Sequence, residues 1–113
     1  MKHDPKRYLS DMLDGCRFVE GLTRGKTIEN YRRDRTFRSA LERELQNIGE
    51  ALRQLEAKHP EVAAKLSEHE KIVRFRHALV HGYDEVKPRL VWDVVETKIP
   101  VLRGELEALL GSA

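Results

Sequence analysis

The chain has 113 residues, 40% of them hydrophobic, enough to fill one modest core but not two, so a single domain over 1–113 is expected. Charged residues make up 35%, yet the net charge is only +2, so both signs must interleave over a solvated surface; a pI near 8.8 permits RNA binding without demanding it. A lone cysteine, Cys16, excludes an intrachain disulfide, and neither a bilayer-length apolar run nor an apolar leader after Met1 is present, so a soluble cytoplasmic protein with no membrane partner is expected.

Four segments carry the helical period and none alternates like a half-buried strand, which predicts an all-α chain. The first runs from about Pro5 to Leu22, with Leu9, Met12, Leu13, Cys16 and Val19 on one stripe and Cys16 as a small buried hydrophobe. A polar connection over Thr23 to Arg33 follows. Arg24, Lys26, Arg32, Arg33, Arg35 and Arg38 cluster here, as a phosphate-steering patch or as a solvated helix start. The second helix begins near Asp34 or Thr36, keeps Phe37, Leu41, Leu45, Ile48, Leu52 and Leu55 in register, and stops before His59-Pro60.

Pro60 opens a short helix through Leu66. Ser67 and Glu70 have the spacing of a capping box and start the third long helix, which Gly82 is expected to close in the left-handed conformation. A last helix from about Arg89 to Leu110 places Val91, Val95, Ile99, Leu102, Leu106 and Leu109 on one face; Pro100 is expected to kink it and Gly111 to end it. Short connections between such helices predict an up-and-down bundle of four to five helices.

The third long helix carries the densest chemistry, Arg76-His77-Ala78-Leu79-Val80-His81-Gly82-Tyr83. Arginine is a permanent forked cation that matches phosphate oxygens, and histidine exchanges protons near neutral pH. On an ideal helix Arg76 and Tyr83 project within about 20° of each other and His81 roughly 140° from Arg76. Arg74, seven residues before His81, aligns with it better, so geometry alone leaves the partner arginine open between Arg74 and Arg76. His81 falls in the last turn, a place that suits a general acid or a phosphate-binding cation. His77 and His81 also have the i, i+4 spacing of a metal chelate, but His3, His59, His69, Asp84 and Glu85 add no recognised ligand spacing. On the second helix, Arg43, Asn47 and Glu50 recur on one polar side, as a cleft lining or an exposed face.

The Arg-x4-His-x-Tyr pattern of Arg76, His81 and Tyr83, the phrase Ile48-Gly49-Glu50-Ala51 and the exit Val80-His81-Gly82-Tyr83-Asp84 together resemble the HEPN superfamily, and within it the small prokaryotic HepT-like toxins. The resemblance covers nearly the whole chain. It implies a HEPN-like bundle that forms a homodimer with both motifs facing a shared cleft, and a metal-independent endoribonuclease that needs no cofactor. By position, Arg76 and His81 inherit the catalytic roles and Glu50 matches a family position; His77, Glu50 and Asn47 are the auxiliary candidates, His77 as an imidazole beside the motif and Asn47 by its spacing from Glu50. The resemblance further implies a type VII-like toxin–antitoxin pair, acting on tRNA or mRNA, in which an MntA-like minimal nucleotidyltransferase antitoxin AMPylates Tyr83. Family members often carry asparagine where this chain has His77, and an apolar approach where it has the charged run Ser67 to Lys71. The alternative is a non-catalytic HEPN module that binds RNA, a nucleotide or a nucleotidyltransferase partner.

Overall fold

The structure, a computed structural model, describes residues 4–82 and 86–111. Helix α1 (Pro5–Thr23) begins as its sequence dictates: the Asp4 carboxylate accepts from the Lys6 N–H at 2.9 Å, and Pro5 occupies the first turn, where its missing N–H is no loss. Leu9, Met12, Leu13, Cys16 and Val19 are buried. Burial, with a smaller contribution from Glu20, pushes the Cys16 thiol up to about 12. Native protein is therefore expected to leave Ellman's reagent unreacted and to release one equivalent only after denaturation; prompt native reaction would contradict this placement.

The connection expected to be irregular contains a short helix, α2 (Ile28–Arg33). Its start is a capping box with asparagine in place of glutamate: Asn30 N–H donates to Thr27 Oγ1, and Thr27 N–H donates to Asn30 Oδ1 at 2.8 Å. Tyr31 is buried, and its hydroxyl donates to Glu42. The long helix α3 (Arg35–Lys58) follows, with Asp34 as its N-cap accepting from Phe37 N–H at 3.1 Å. All six apolar positions expected on its stripe are buried. A single turn, α4 (Pro60–Ala63), ends short of the expected Leu66.

Helix α5 (His69–His81) departs from the expected start. No Ser67–Glu70 box forms. Ser67 instead donates its N–H and hydroxyl to the Glu105 carboxylate at 3.1 and 2.7 Å, and Glu68, at φ 58°, pairs with Lys71 and Lys98 at 3.0 and 2.8 Å. A carboxylate from a distant helix has outcompeted the local cap, and the left-handed Glu68 marks the resulting turn. The other end is also corrected: Gly82 has φ −86°, not a positive value. Its N–H bonds the Ala78 carbonyl at 2.6 Å, and an added Cβ would come within 2.5 Å of that oxygen, so glycine here permits close approach.

The last helical stretch joins α6 (Pro88–Asp93) to α7 (Ile99–Gly111) through a wider π-helical turn, Val94–Lys98, whose closing bond runs from Ile99 N–H to the Val94 carbonyl. Pro100 cannot donate, and the wider turn directly before it accommodates that loss without breaking the helix. The extra residue also brings adjacent Val94 and Val95 both into the core.

Cross-helix pairs give the directions. Tyr8 meets Lys58, Arg17 meets Glu107 and Glu20 meets Arg103, so α1 runs antiparallel to α3 and α7. Glu56 meets His69 and Glu50 meets Arg76, so α5 runs antiparallel to α3. The result is an all-α, up-and-down bundle of four long helical stretches, with Tyr31 and Phe37 tilted against Trp92 at one end. No described helix is long and apolar enough to cross a membrane.

Candidate active site

Helix α5 turns Ile72 and Phe75 into the core, which leaves Arg76 at the edge of its contact with α3. There the two backbones come unusually close. Gly49 is buried in mid-helix, and a Cβ on it would lie 2.3 Å from Arg76 Cβ and 2.5 Å from Cγ, so the arginine stem occupies the space a side chain would need. The guanidinium then reaches Glu50, with Nη2 3.3 Å from Oε1. Its Nε is buried and has no hydrogen-bond partner among the described residues.

Glu50 is engaged elsewhere as well. Arg53 grips it as a fork, Nε to Oε1 at 2.9 Å and Nη2 to Oε2 at 2.8 Å, and Gln54 donates to Oε2 at 3.1 Å. The Arg53 hydrogen bonds, aided by Gln54 and by the charges of Arg53 and Arg76, overcome the opposing effect of burial and hold the Glu50 carboxyl down at about 2. A carboxyl whose folded value lies below its ordinary 4.5 contributes stability that is present above 4.5 and lost as pH falls toward 2. Thermal melts of Glu50→Gln should therefore lose less between those two values than wild type does; parallel acid profiles would show that Glu50 carries none of this dependence.

Arg76 and His81 are not joined by a hydrogen bond or ion pair among the described residues, as the roughly 140° between them leads one to expect. His81 and His77 are both exposed; their ring centroids are 4.7 Å apart and tilted by 52°. They border a pocket of about 370 Å³ with Ala78, Gly82, Val86 and Leu90. Among the described residues, no group of three or more His, Cys, Asp and Glu side chains is placed to hold a metal ion. Arg74 is exposed. Asn47 is exposed too and opens with Glu50 onto a separate cavity of about 440 Å³ between α1 and α3, bordered by Arg7, Tyr8 and Asp11 among others. Tyr83 lies outside the described residues.

Much of the basic cluster near α2 is absorbed locally. Arg32 and Arg33 pair with Glu29 at 2.8 and 3.7 Å, and Arg38 donates to the carbonyls of Tyr31 and Arg32 at 3.1 and 2.9 Å, closing the end of α2. Sequence reasoning took Gly49 only as part of a family phrase and passed over Arg53 and Gln54. A signal for Gly49 exists: glycine in the middle of a long helix is costly and asks for a close approach.

An all-α bundle that displays an arginine–histidine motif on one helix defines a class of small helical domains. A family model described as "Ribonuclease HepT-like" matches residues 12–109. The chain belongs to the HepT-like ribonuclease family. It is 32% identical to a "Probable ribonuclease HepT" of Thermococcus cleftensis over 96% of this chain and 98% of that protein. It is 30% identical to a protein named as a candidate RNase of Caldanaerobacter subterraneus subsp. tengcongensis, over 94% of each. A similarly named protein of Methanocaldococcus jannaschii is 28% identical over 96% of this chain and 89% of the relative. No solved structure matches the chain.

Proposed function

We propose that this chain is an endoribonuclease toxin that works as a homodimer, with Arg76 and His81 as its catalytic residues. Family membership over residues 12–109 supports the activity class, and one observation supports the site: the Arg76 side chain, 23% exposed, stands 3.3 Å from Glu50 and its guanidinium makes no hydrogen bond among the described residues. An arginine with unmet donors is suited to phosphate oxygens.

In the reaction, a ribose 2′-oxygen attacks the adjacent phosphorus as its proton is removed, and the P–O5′ bond breaks as the departing oxygen takes up a proton. Arg76 stabilises the charge that builds on the phosphoryl oxygens. His81 moves a proton, and two copies across the dimer cleft divide the acid and base roles. Glu50 is a positioning residue behind Arg76; His77, beside His81, contributes to substrate contact, and Asn47 lies toward the cavity side of Glu50. All steps use this chain's own side chains. RNA treated in the presence of chelator should therefore carry 2′,3′-cyclic phosphate and 5′-hydroxyl ends, while a 2′-O-methylated RNA stays whole. Binding without cleavage would instead favour a non-catalytic module.

Control of this activity is assigned to Tyr83, two residues past His81, through adenylylation by a minimal nucleotidyltransferase antitoxin in a type VII-like pair. A bulky anion there blocks the cleft and repels RNA phosphate. Intact mass after incubation with that partner and ATP is expected to rise by AMP units on wild type and not on Tyr83→Phe; the same gain on the variant would rule out this residue.

A further inference from the structure

Three groups meet on one carboxylate at the back of the proposed site, and they are not held equally. Arg53 takes both oxygens of Glu50 in a fork with distances of 2.9 and 2.8 Å, and Gln54 adds a third donor at 3.1 Å. Arg76 approaches one oxygen at 3.3 Å without completing a hydrogen bond, and its buried Nε has no partner among the described residues. The Arg76 side chain is 23% exposed, so part of its head stays open to solvent beside Glu50. An equal claim on the carboxylate would give Arg76 the fork geometry that Arg53 has instead.

We propose that Arg53 is a positioning residue that occupies the Glu50 carboxylate, so that Glu50 aligns the Arg76 guanidinium without neutralising it and leaves its terminal Nη donors available to an RNA phosphate. This rests on the functional reading above. The stem of Arg76 lies against Gly49, which places its head beside Glu50; what then controls its availability is how strongly the carboxylate is engaged from the other side. Arg53 is half-exposed on α3, where an i, i+3 ion pair would ordinarily be a minor stabilising contact. Its value here lies in the competition for Glu50. A guanidinium fork is required, because lysine offers a point charge and cannot cover both oxygens at once.

Removal of Arg53 lets the Glu50 carboxylate close on Arg76 and compete with phosphate. The test measures the Kd of a 2′-O-methylated RNA, which cannot be cleaved, together with kcat and KM on the unmodified RNA. Arg53→Ala should weaken Kd and raise KM by about tenfold, the worth of one charge-assisted hydrogen bond gained by the competitor, with a much smaller change in kcat. Arg53→Lys should recover only part. The decisive variant is Arg53→Ala/Glu50→Gln: with the competing charge gone, Kd should return to within about threefold of wild type, whereas a purely structural role predicts that the second substitution adds damage. An unchanged Kd in Arg53→Ala, or a double variant no better than the single one, overturns the proposal. Wild type that binds the modified RNA but cuts nothing would defeat the catalytic reading alone, since the Kd series still decides the role of Arg53. Wild type that neither binds nor cuts overturns both.

Discussion

Arg76→Ala is expected to reduce RNA cleavage by about 10² to 10³-fold, the range for removal of one preorganised donor from a developing oxyanion. The loss should fall mainly on turnover. The substitution leaves the rest of the site satisfied, because Glu50 keeps the Arg53 fork and the Gln54 hydrogen bond. Melting should therefore shift modestly while activity collapses, which separates a chemical role from a folding role. His81→Ala is expected to cost about 10² to 10⁴-fold, as for a general acid or base. In the proposed mechanism both side chains serve one transition state, so the double variant should be little worse than the more damaged single one. Arg74→Ala, at an exposed position two residues away, serves as the control and should stay near wild type. Cleavage by Arg76→Ala and His81→Ala at the wild-type rate would remove both residues from the mechanism.

Gly49→Ala should be the most damaging single methyl in the site. The added Cβ would need to share space with Arg76 Cβ and Cγ, at 2.3 and 2.5 Å, and these belong to the root of the side chain, not to a flexible tip. Either α5 moves away from α3 or Arg76 leaves its seat. Better helix propensity for alanine gives back at most about 1 kcal/mol, while overpacking of this kind costs typically 1 to 3 kcal/mol. For a domain of this size a net loss of about 1 to 2 kcal/mol lowers Tm by roughly 4 to 12 °C. Cleavage should fall further than stability explains, measured at a temperature where both proteins are folded, because the guanidinium no longer lies beside Glu50. Gly104→Ala is the matched control: a Cβ there meets nothing within 4 Å, and the variant should melt at or above wild type. A Gly49→Ala protein with wild-type Tm and activity would mean that α3 and α5 are not in this contact.

The long helices were legible because each writes its own period: the α3 stripe from Phe37 to Leu55 is buried residue for residue, as is Leu9 to Val19 on α1. Ends were harder. The short α2 was hidden because its capping box uses Asn30 where glutamate or glutamine is the usual signal, and the Ser67–Glu70 spacing pointed to a cap that Glu105 displaces. Pro100 announced a disturbance, which the structure shows as a π-helical turn over Val94–Lys98 that carries both Val94 and Val95 into the core.

The same division runs through the site. Sequence alone determined that α5 carries an arginine, two histidines and then a tyrosine in the Arg-x4-His-x-Tyr order, and that this order belongs with the HepT-like family, since spacing along one chain is local information. Only the tertiary structure decided what stands behind the arginine. Antiparallel packing of α5 on α3 sets Arg76 on Gly49 and brings Glu50 to its guanidinium, while Arg74 stays exposed. No periodicity in either helix encodes that meeting, because it depends on the depth and register with which two separate helices dock, and a missing side chain at Gly49 is what lets them dock so closely.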